Sequence, residues 1–235
     1  MDALRAGVSF FTTLRAGGDF DSLRKNLIVI PAVGAFIGIL ISIPAIALIE
    51  LNSGFLIILA YVAVEGINHI DGLADFFDAV FAPPQRKLEA LKDLNTGSGG
   101  YMAVSTYIVI LAFFFSKMNI LEAAVGIILA QVMAKQGMLH LMLKFNPVWE
   151  GILSEFTRFK RRKDYASYLF TALAVLISSV INPYKALGSV TVYLILLFFF
   201  SEYVRKVFGG INGDMVGALN CLIFAGVVGV WACLP

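Results

Sequence analysis

Asp71, Asp75 and Asp78 recur at i, i+4 and i+7 within the stretch EGINHIDGLADFFDAVF, a spacing that puts all three carboxylates on one face of a helix. Three anions on one stripe repel each other. A divalent cation is the usual resolution, and carboxylate oxygens suit Mg²⁺ or Mn²⁺ better than zinc. Glu65 and His69 lie just before this face and Asp93 just after it, in surroundings that are mostly apolar. Ionisable groups at membrane depth cost roughly 2.5 to 3.5 kcal/mol each on insertion scales, so a cluster of them marks a functional site by default. Gly72 and Ala74 are small residues beside the face, and they are expected to leave room for a ligand.

Other residues leave two readings open. Gly97, Gly99 and Gly100 form either a turn whose amides cradle a phosphate or a flexible start to a helix. A second glycine-rich element, FGGINGDMVGA, contains Gly213 and Asp214, and Asp214 reads as a site residue or as the cap of the helix that follows. His69 and His140 are acid/base candidates or hydrogen-bonded packing residues. Glu65 either joins the acidic site or pairs with Lys135, the other deep charge.

The elements that must position these groups are membrane helices. The chain has 235 residues, 59% of them hydrophobic and only 14% charged, with a mean hydropathy of +0.85. That composition excludes an ordinary soluble globule. It predicts an all-α, polytopic integral membrane helix bundle, a single domain over residues 1–235, with about seven spans near 27–49, 54–75, 99–117, 119–142, 166–182, 186–204 and 213–234. Residues 2–15 and the long segment from Lys144 to Asp164 carry apolar residues near helical spacing beside basic ones, which predicts short interfacial helices on the bilayer. MDALRAGVSFFTTLRAGG has no apolar core before a small-residue cleavage site, so the first span is expected to serve as the insertion signal. Gly34 and Gly38 permit close helix contact. Cys221 and Cys233 read as packing residues. A net charge of +2 argues against a nucleic-acid partner and leaves self-association into a homo-oligomer open.

Placement of the basic residues predicts orientation. With the N-terminus inside, Arg5, Arg15, Arg24, Lys25, Arg86, Lys87, Lys92, Lys144, Arg158, Lys160 to Lys163, Arg205 and Lys206 fall on the cytoplasmic side. Only Lys117 and Lys185 fall outside. This asymmetry predicts a cytoplasmic N-terminus, an outer C-terminus, and aspartates that face the cytosol.

The string GINHIDGLADFFDAVF resembles the signature of the cobalamin 5′-phosphate synthase family, the adenosylcobinamide-GDP ribazoletransferases. The family's His-x-Asp-Gly-x-Ala-Asp-x-x-Asp corresponds to His69, Asp71, Gly72, Ala74, Asp75 and Asp78. Its later Lys-Asp and Gly-x-x-Gly correspond to Lys92, Asp93, Gly97 and Gly100. Near the C-terminus, Gly209, Gly210, Gly213, Asp214, Gly217 and Ala218 match a third motif. The resemblance covers nearly the whole chain and departs from the family pattern at Asn95, Asn212 and Lys135-Gln136, while the aspartates themselves keep to it.

What the resemblance implies is a transferase that joins the phosphoryl group of adenosylcobinamide-GDP to α-ribazole or its 5′-phosphate and releases GMP, in the cytoplasmic membrane of a prokaryote. It further implies Mg²⁺, with Mn²⁺ as an alternative, on Asp71, Asp75, Asp78, Asp93 and Glu65. Asp93 is a ligand or the general base, His69 a catalytic group, and Lys92, Gly97, Gly100, Gly213 and Asp214 contact substrate. Two other classes are weighed. A CDP-alcohol phosphotransferase has Asp-Gly-x-x-Ala-Arg, whereas Ala74 here is followed by Asp75. A cation-coupled transporter has broken helix pairs or an internal repeat, and no repeat is evident.

Overall fold

In a bilayer every backbone polar group must be satisfied within its own segment, so apolar runs of this length fold as helices. The computed structural model describes residues 1–93 and 95–235. Among these the helices are α1 (Asp2–Phe11), α2 (Phe20–Arg24), α3 (Ile30–Glu50), α4 (Ile57–Glu65), α5 (Asn68–Phe81), α6 (Lys87–Ala90), α7 (Ser98–Lys117), α8 (Ile120–Lys144), α9 (Ile152–Arg158), α10 (Ser167–Ile181), α11 (Pro183–Val207) and α12 (Gly213–Cys233). No strand forms among the described residues. A single isolated parallel bridge joins Pro147 to Ile211.

Asparagine starts three of the long helices. Asn119 and Glu122 make a reciprocal capping box on α8, Asn182 accepts from the amides of Tyr184 and Lys185 with Pro183 in the first turn of α11, and Asn212 accepts from Met215 on α12. With their leading turns, α3, α7, α8, α10, α11 and α12 are long and apolar enough to cross a membrane, so the protein is a multi-pass membrane helix bundle.

The expected second span, 54–75, is not one rod. Its two halves meet at 99°, which gives six spans, or seven if the bent pair is counted as one. Gly66 makes the break with φ +81, a conformation that other residues adopt at a cost. The stretch Gly54–Glu65 rises only about 18 Å at 1.5 Å per residue, short of the roughly 30 Å hydrocarbon core. Asp71 is therefore not reached along a continuous helix. α5 turns aside and lies across the bundle instead.

α8 is the hub. α3 packs antiparallel against it, so closely that a Cβ on Gly34 would lie 2.5 Å from the Gln131 carbonyl oxygen and one on Gly38 2.6 Å from the Ile128 Cα. α12 also runs antiparallel to α8, with Gly126 against Trp231 and Gly137 against Ile223. Gly229 of α12 meets Phe114 of α7, so these two helices run the same way. The N-termini of α3, α7 and α12 and the C-terminus of α8 thus share one end of the bundle. Leu169, Leu173, Leu176 and Val180 remain exposed on one face of α10, as lipid-facing residues do. At the opposite end Lys185 is buried, paired with Glu122 and donating to the Trp231 carbonyl at 3.0 Å.

Candidate active site

Glu65 ends α4 with its side chain fully buried. Its carboxylate accepts from Lys135 Nζ at 2.5 Å, Gln131 Nε2 at 2.5 Å and Asn220 Nδ2 at 2.9 Å, and His69 Nδ1 stands 2.9 Å away. Lys135 Nζ also donates to Asn220 Oδ1 at 2.8 Å. A buried carboxylate and ammonium are tolerable only when each is paired and hydrogen-bonded. Glu65, expected among the metal ligands, is taken up by this network, and of the two sequence readings the pairing with Lys135 is the one the fold adopts. The α4 carbonyls freed at the break are met by the N-terminal segment: Thr13 N donates to Val64 O at 2.9 Å and Thr13 Oγ1 to Ala63 O at 2.7 Å.

Beyond the break, α5 crosses the start of α12. A Cβ on Gly72 would come 2.9 Å from the Asp214 Cα, and one on Gly217 would come 3.2 Å from the Cα of His69. The space beside Gly72, expected to receive a ligand, is filled by the α12 backbone. This contact brings Asp214 to the aspartate face, where Asp75 lies within electrostatic reach of Asp214, Asp71 and Asp78. Asp214 is not the cap of α12, a task that falls to Asn212; Asn212 Nδ2 instead donates to the Asp214 carboxylate at 2.6 Å.

At its other end α5 meets the start of α7. Asp78 accepts from Gly97 N at 2.7 Å and from Gly100 N at 2.8 Å. The anion that these amides hold is thus a carboxylate of the chain itself, satisfying donors that a helix start leaves open. Each Asp78 oxygen keeps a further lone pair. Asp93 accepts from the backbone and side chain of Asn95, both at 3.0 Å, and with Asp78, Arg86 and Glu89 it lines a cavity of about 210 Å³.

Asp71, His69, Asn68, Gly213 and Asp214 face a separate cavity of about 360 Å³. The carboxylates are therefore divided, Asp71 with Asp214 on one side and Asp78 with Asp93 on the other, with Asp75 between them on the helix. Lys92 sits 5.0 Å from the Trp149 ring centroid. Lys87 caps the end of α5 through the carbonyls of Ala79 and Val80, and Arg86 pairs with Glu89 at 3.1 Å. His140 lies apart, bonded to the Tyr168 hydroxyl.

Among the described residues no three His, Cys, Asp or Glu side chains close on a metal position by themselves. Mg²⁺ usually takes one or two carboxylates and completes its shell with water and substrate phosphates. No lysine or arginine among the described residues forms an ion pair with Asp71, Asp75, Asp78 or Asp214. Asp75 is thus repelled by Asp214, Asp71 and Asp78 with no basic side chain paired to any of them among the described residues.

Sequence reasoning missed the walls. Phe10 and Phe11 of α1 and Leu153 and Phe156 of α9 line the larger cavity, although both helices read as surface anchors. Phe11 is buried, stacked 6.1 Å from His69 and 5.6 Å from the Lys135 ammonium. Gln131 and Asn220 were also missed, and polar side chains inside apolar spans were the signal available for them.

Comparison with known proteins finds relatives along nearly the whole chain. An adenosylcobinamide-GDP ribazoletransferase of Archaeoglobus fulgidus is 43% identical over 96% of this chain and 95% of its own length. A second from the same organism is 42% identical over 95% and 94%, and one from Thermococcus onnurineus is 30% identical over 93% and 92%. No solved structure matches. The family model described as cobalamin-5-phosphate synthase matches residues 3–232, a range that takes in the acidic helix, both helix starts it crosses and both interfacial walls, and the chain belongs to that family.

Proposed function

We propose that this protein joins the phosphoryl group of adenosylcobinamide-GDP to a ribose hydroxyl of α-ribazole or its 5′-phosphate and releases GMP. The single observation that carries the reading is the gathering of Asp71, Asp75, Asp78 and Asp214, without a paired lysine or arginine among the described residues, where α5 crosses the starts of α7 and α12. A pyrophosphate donor needs such a set: the acceptor oxygen bonds to the cobinamide-side phosphorus, the bond from that phosphorus to the bridging oxygen breaks, the oxygen leaves as part of GMP, and the hydroxyl proton goes to a base. Mg²⁺ or Mn²⁺ would be held by one or two of Asp71, Asp75, Asp78 and Asp214, with water and substrate phosphate completing the shell, and would supply charge neutralisation for the pyrophosphate and the leaving GMP.

The chain's own residues do the rest. Asp71 and Asp214 orient the acceptor in the larger cavity, and His69, which lines the same cavity, takes the proton, with Asp93 in the separate cavity beside Asp78. Gly213, with nothing within 4 Å of a would-be Cβ, leaves the mouth of that cavity open to phosphate oxygens. Lys92, held over Trp149, is the nearest exposed cation in sequence to Asp93 and offsets nucleotide charge. The excess of basic residues at the aspartate end supports an orientation with that end in the cytoplasm of a prokaryotic cell, the C-terminus outside, and the site on the side where nucleotide-activated substrates are made.

Full-length protein purified in detergent and supplied with adenosylcobinamide-GDP, α-ribazole and Mg²⁺ should release GMP in step with product. GMP release independent of acceptor, or none with either acceptor, would reject the reading.

A further inference from the structure

The larger cavity has two unlike walls. Every side chain it receives from α1, α8 and α9 is apolar, Phe10, Met138, Met142, Leu153 and Phe156 among them. The polar lining comes only from the other side, from α4, α5 and the start of α12, where Asp71 and Asp214 stand. The apolar wall is built rather than incidental: the rings of Phe10, Phe20 and Phe156 contact one another at centroid distances of 5.1 to 5.6 Å, joining α1, α2 and α9. Arg24 of α2 pairs with Glu155 of α9, which holds the two short helices together.

We infer that this cavity is the acceptor subsite, and that its apolar wall selects a ribonucleoside whose planar base has almost no hydrogen-bonding edge. The inference rests on the transferase reading and deepens it. A volume of about 360 Å³ encloses a nucleoside-sized group and is too small for a corrinoid. Guanine, the other base in the reaction, carries several donors and acceptors on its edges, and facing this wall would leave them unpaired. A dimethylbenzimidazole has no donor and one ring nitrogen lone pair, so its ring and methyl groups lose little against Phe10, Phe156 and the methionines. Met138 and Met142, one turn apart on α8, supply flexible, polarisable contacts of the kind that favour aromatic faces. With the base on that wall, the ribose hydroxyls turn toward Asp71 and Asp214, which accept from them.

The test compares Phe10→Ser, Phe10→Leu and Met142→Gln with the wild-type full chain in detergent. Phe10 is 36% exposed, and thermal unfolding of each variant checks that the bundle stays intact. α-Ribazole binding is measured by calorimetry without donor, and KM for each substrate is measured by GMP release. Phe10→Ser and Met142→Gln are expected to weaken α-ribazole binding and raise its KM by about tenfold or more, with the donor KM unchanged. Phe10→Leu, which keeps the wall apolar, should retain most of the affinity. GMP release with α-ribazole affinity unaltered in all three variants, or a rise in donor KM alone, overturns the subsite while keeping the transferase. Wild-type binding of α-ribazole that the two polar variants weaken, with no GMP release from either acceptor, supports the subsite and overturns the transferase reading.

Discussion

Glu65 Oε1 and Lys135 Nζ lie 2.5 Å apart with both side chains wholly buried, and this pair pins the break between α4 and α5 to the middle of α8. Because Asn220 of α12 and Gln131 of α8 bond the same carboxylate, three helices, α4, α8 and α12, meet at one charge. Lys135→Met strands that carboxylate and is expected to destabilise the protein by about 3 to 5 kcal/mol. Adding Glu65→Gln to it should recover much of the loss. Thermal unfolding in detergent checks both, and an unaltered midpoint for Lys135→Met would show that the pair does not hold the break.

The carboxylates should separate into two classes. Asp71→Asn, Asp75→Asn and Asp214→Asn are expected to abolish most GMP release while leaving thermal stability equal or higher, since each relieves repulsion. Asp78→Ala should lose activity and also about 0.5 to 2 kcal/mol of stability, because it removes the acceptor for the Gly97 and Gly100 amides. Chelation with EDTA should silence the wild type and added Mg²⁺ or Mn²⁺ restore it. Full turnover in chelator would reject the metal assignment.

Close approach at Gly72 makes a prediction that involves no charge. Gly72→Ala sets a Cβ 2.9 Å from the Asp214 Cα and should push α5 off α12, lowering both activity and unfolding temperature. Gly213→Ala meets nothing within 4 Å and should leave the fold unchanged. A loss of turnover in Gly213→Ala at full stability would mark that position as a substrate contact. Equal stability of Gly72→Ala and wild type would mean that the α5–α12 contact is loose.

Sidedness is tested by labelling. Single cysteines between Glu150 and Lys163 should react with an impermeant thiol reagent only from the cytoplasmic side, and cysteines at Asn119 or Asn182 only from outside. Cys233 is exposed and must first be replaced by serine, whereas Cys221 is buried. The reverse pattern would put the aspartates on the wrong side for a nucleotide-activated donor.

The amino-acid sequence by itself determined that this is a membrane helix bundle and that Asp71, Asp75 and Asp78 share a helical face. Both follow from local quantities, the mean polarity of a window and the 3.6-residue period, which no distant contact can alter. It also marked Gly34 and Gly38 as close-contact positions, and α3 does meet α8 there. The tertiary structure decided what depends on partners far apart in the chain. Hydropathy over 54–75 is continuous, yet the segment bends by 99° at Gly66, because Glu65 is claimed by Lys135 and Asn220 and α5 is claimed by the starts of α7 and α12. The same long-range packing put Asp78 in the glycine amides expected to hold phosphate, and turned α1 and α9 from anchors into cavity walls. Those pairings join residues separated by tens of positions, and a local period or window average carries no information about which of them the bundle brings together.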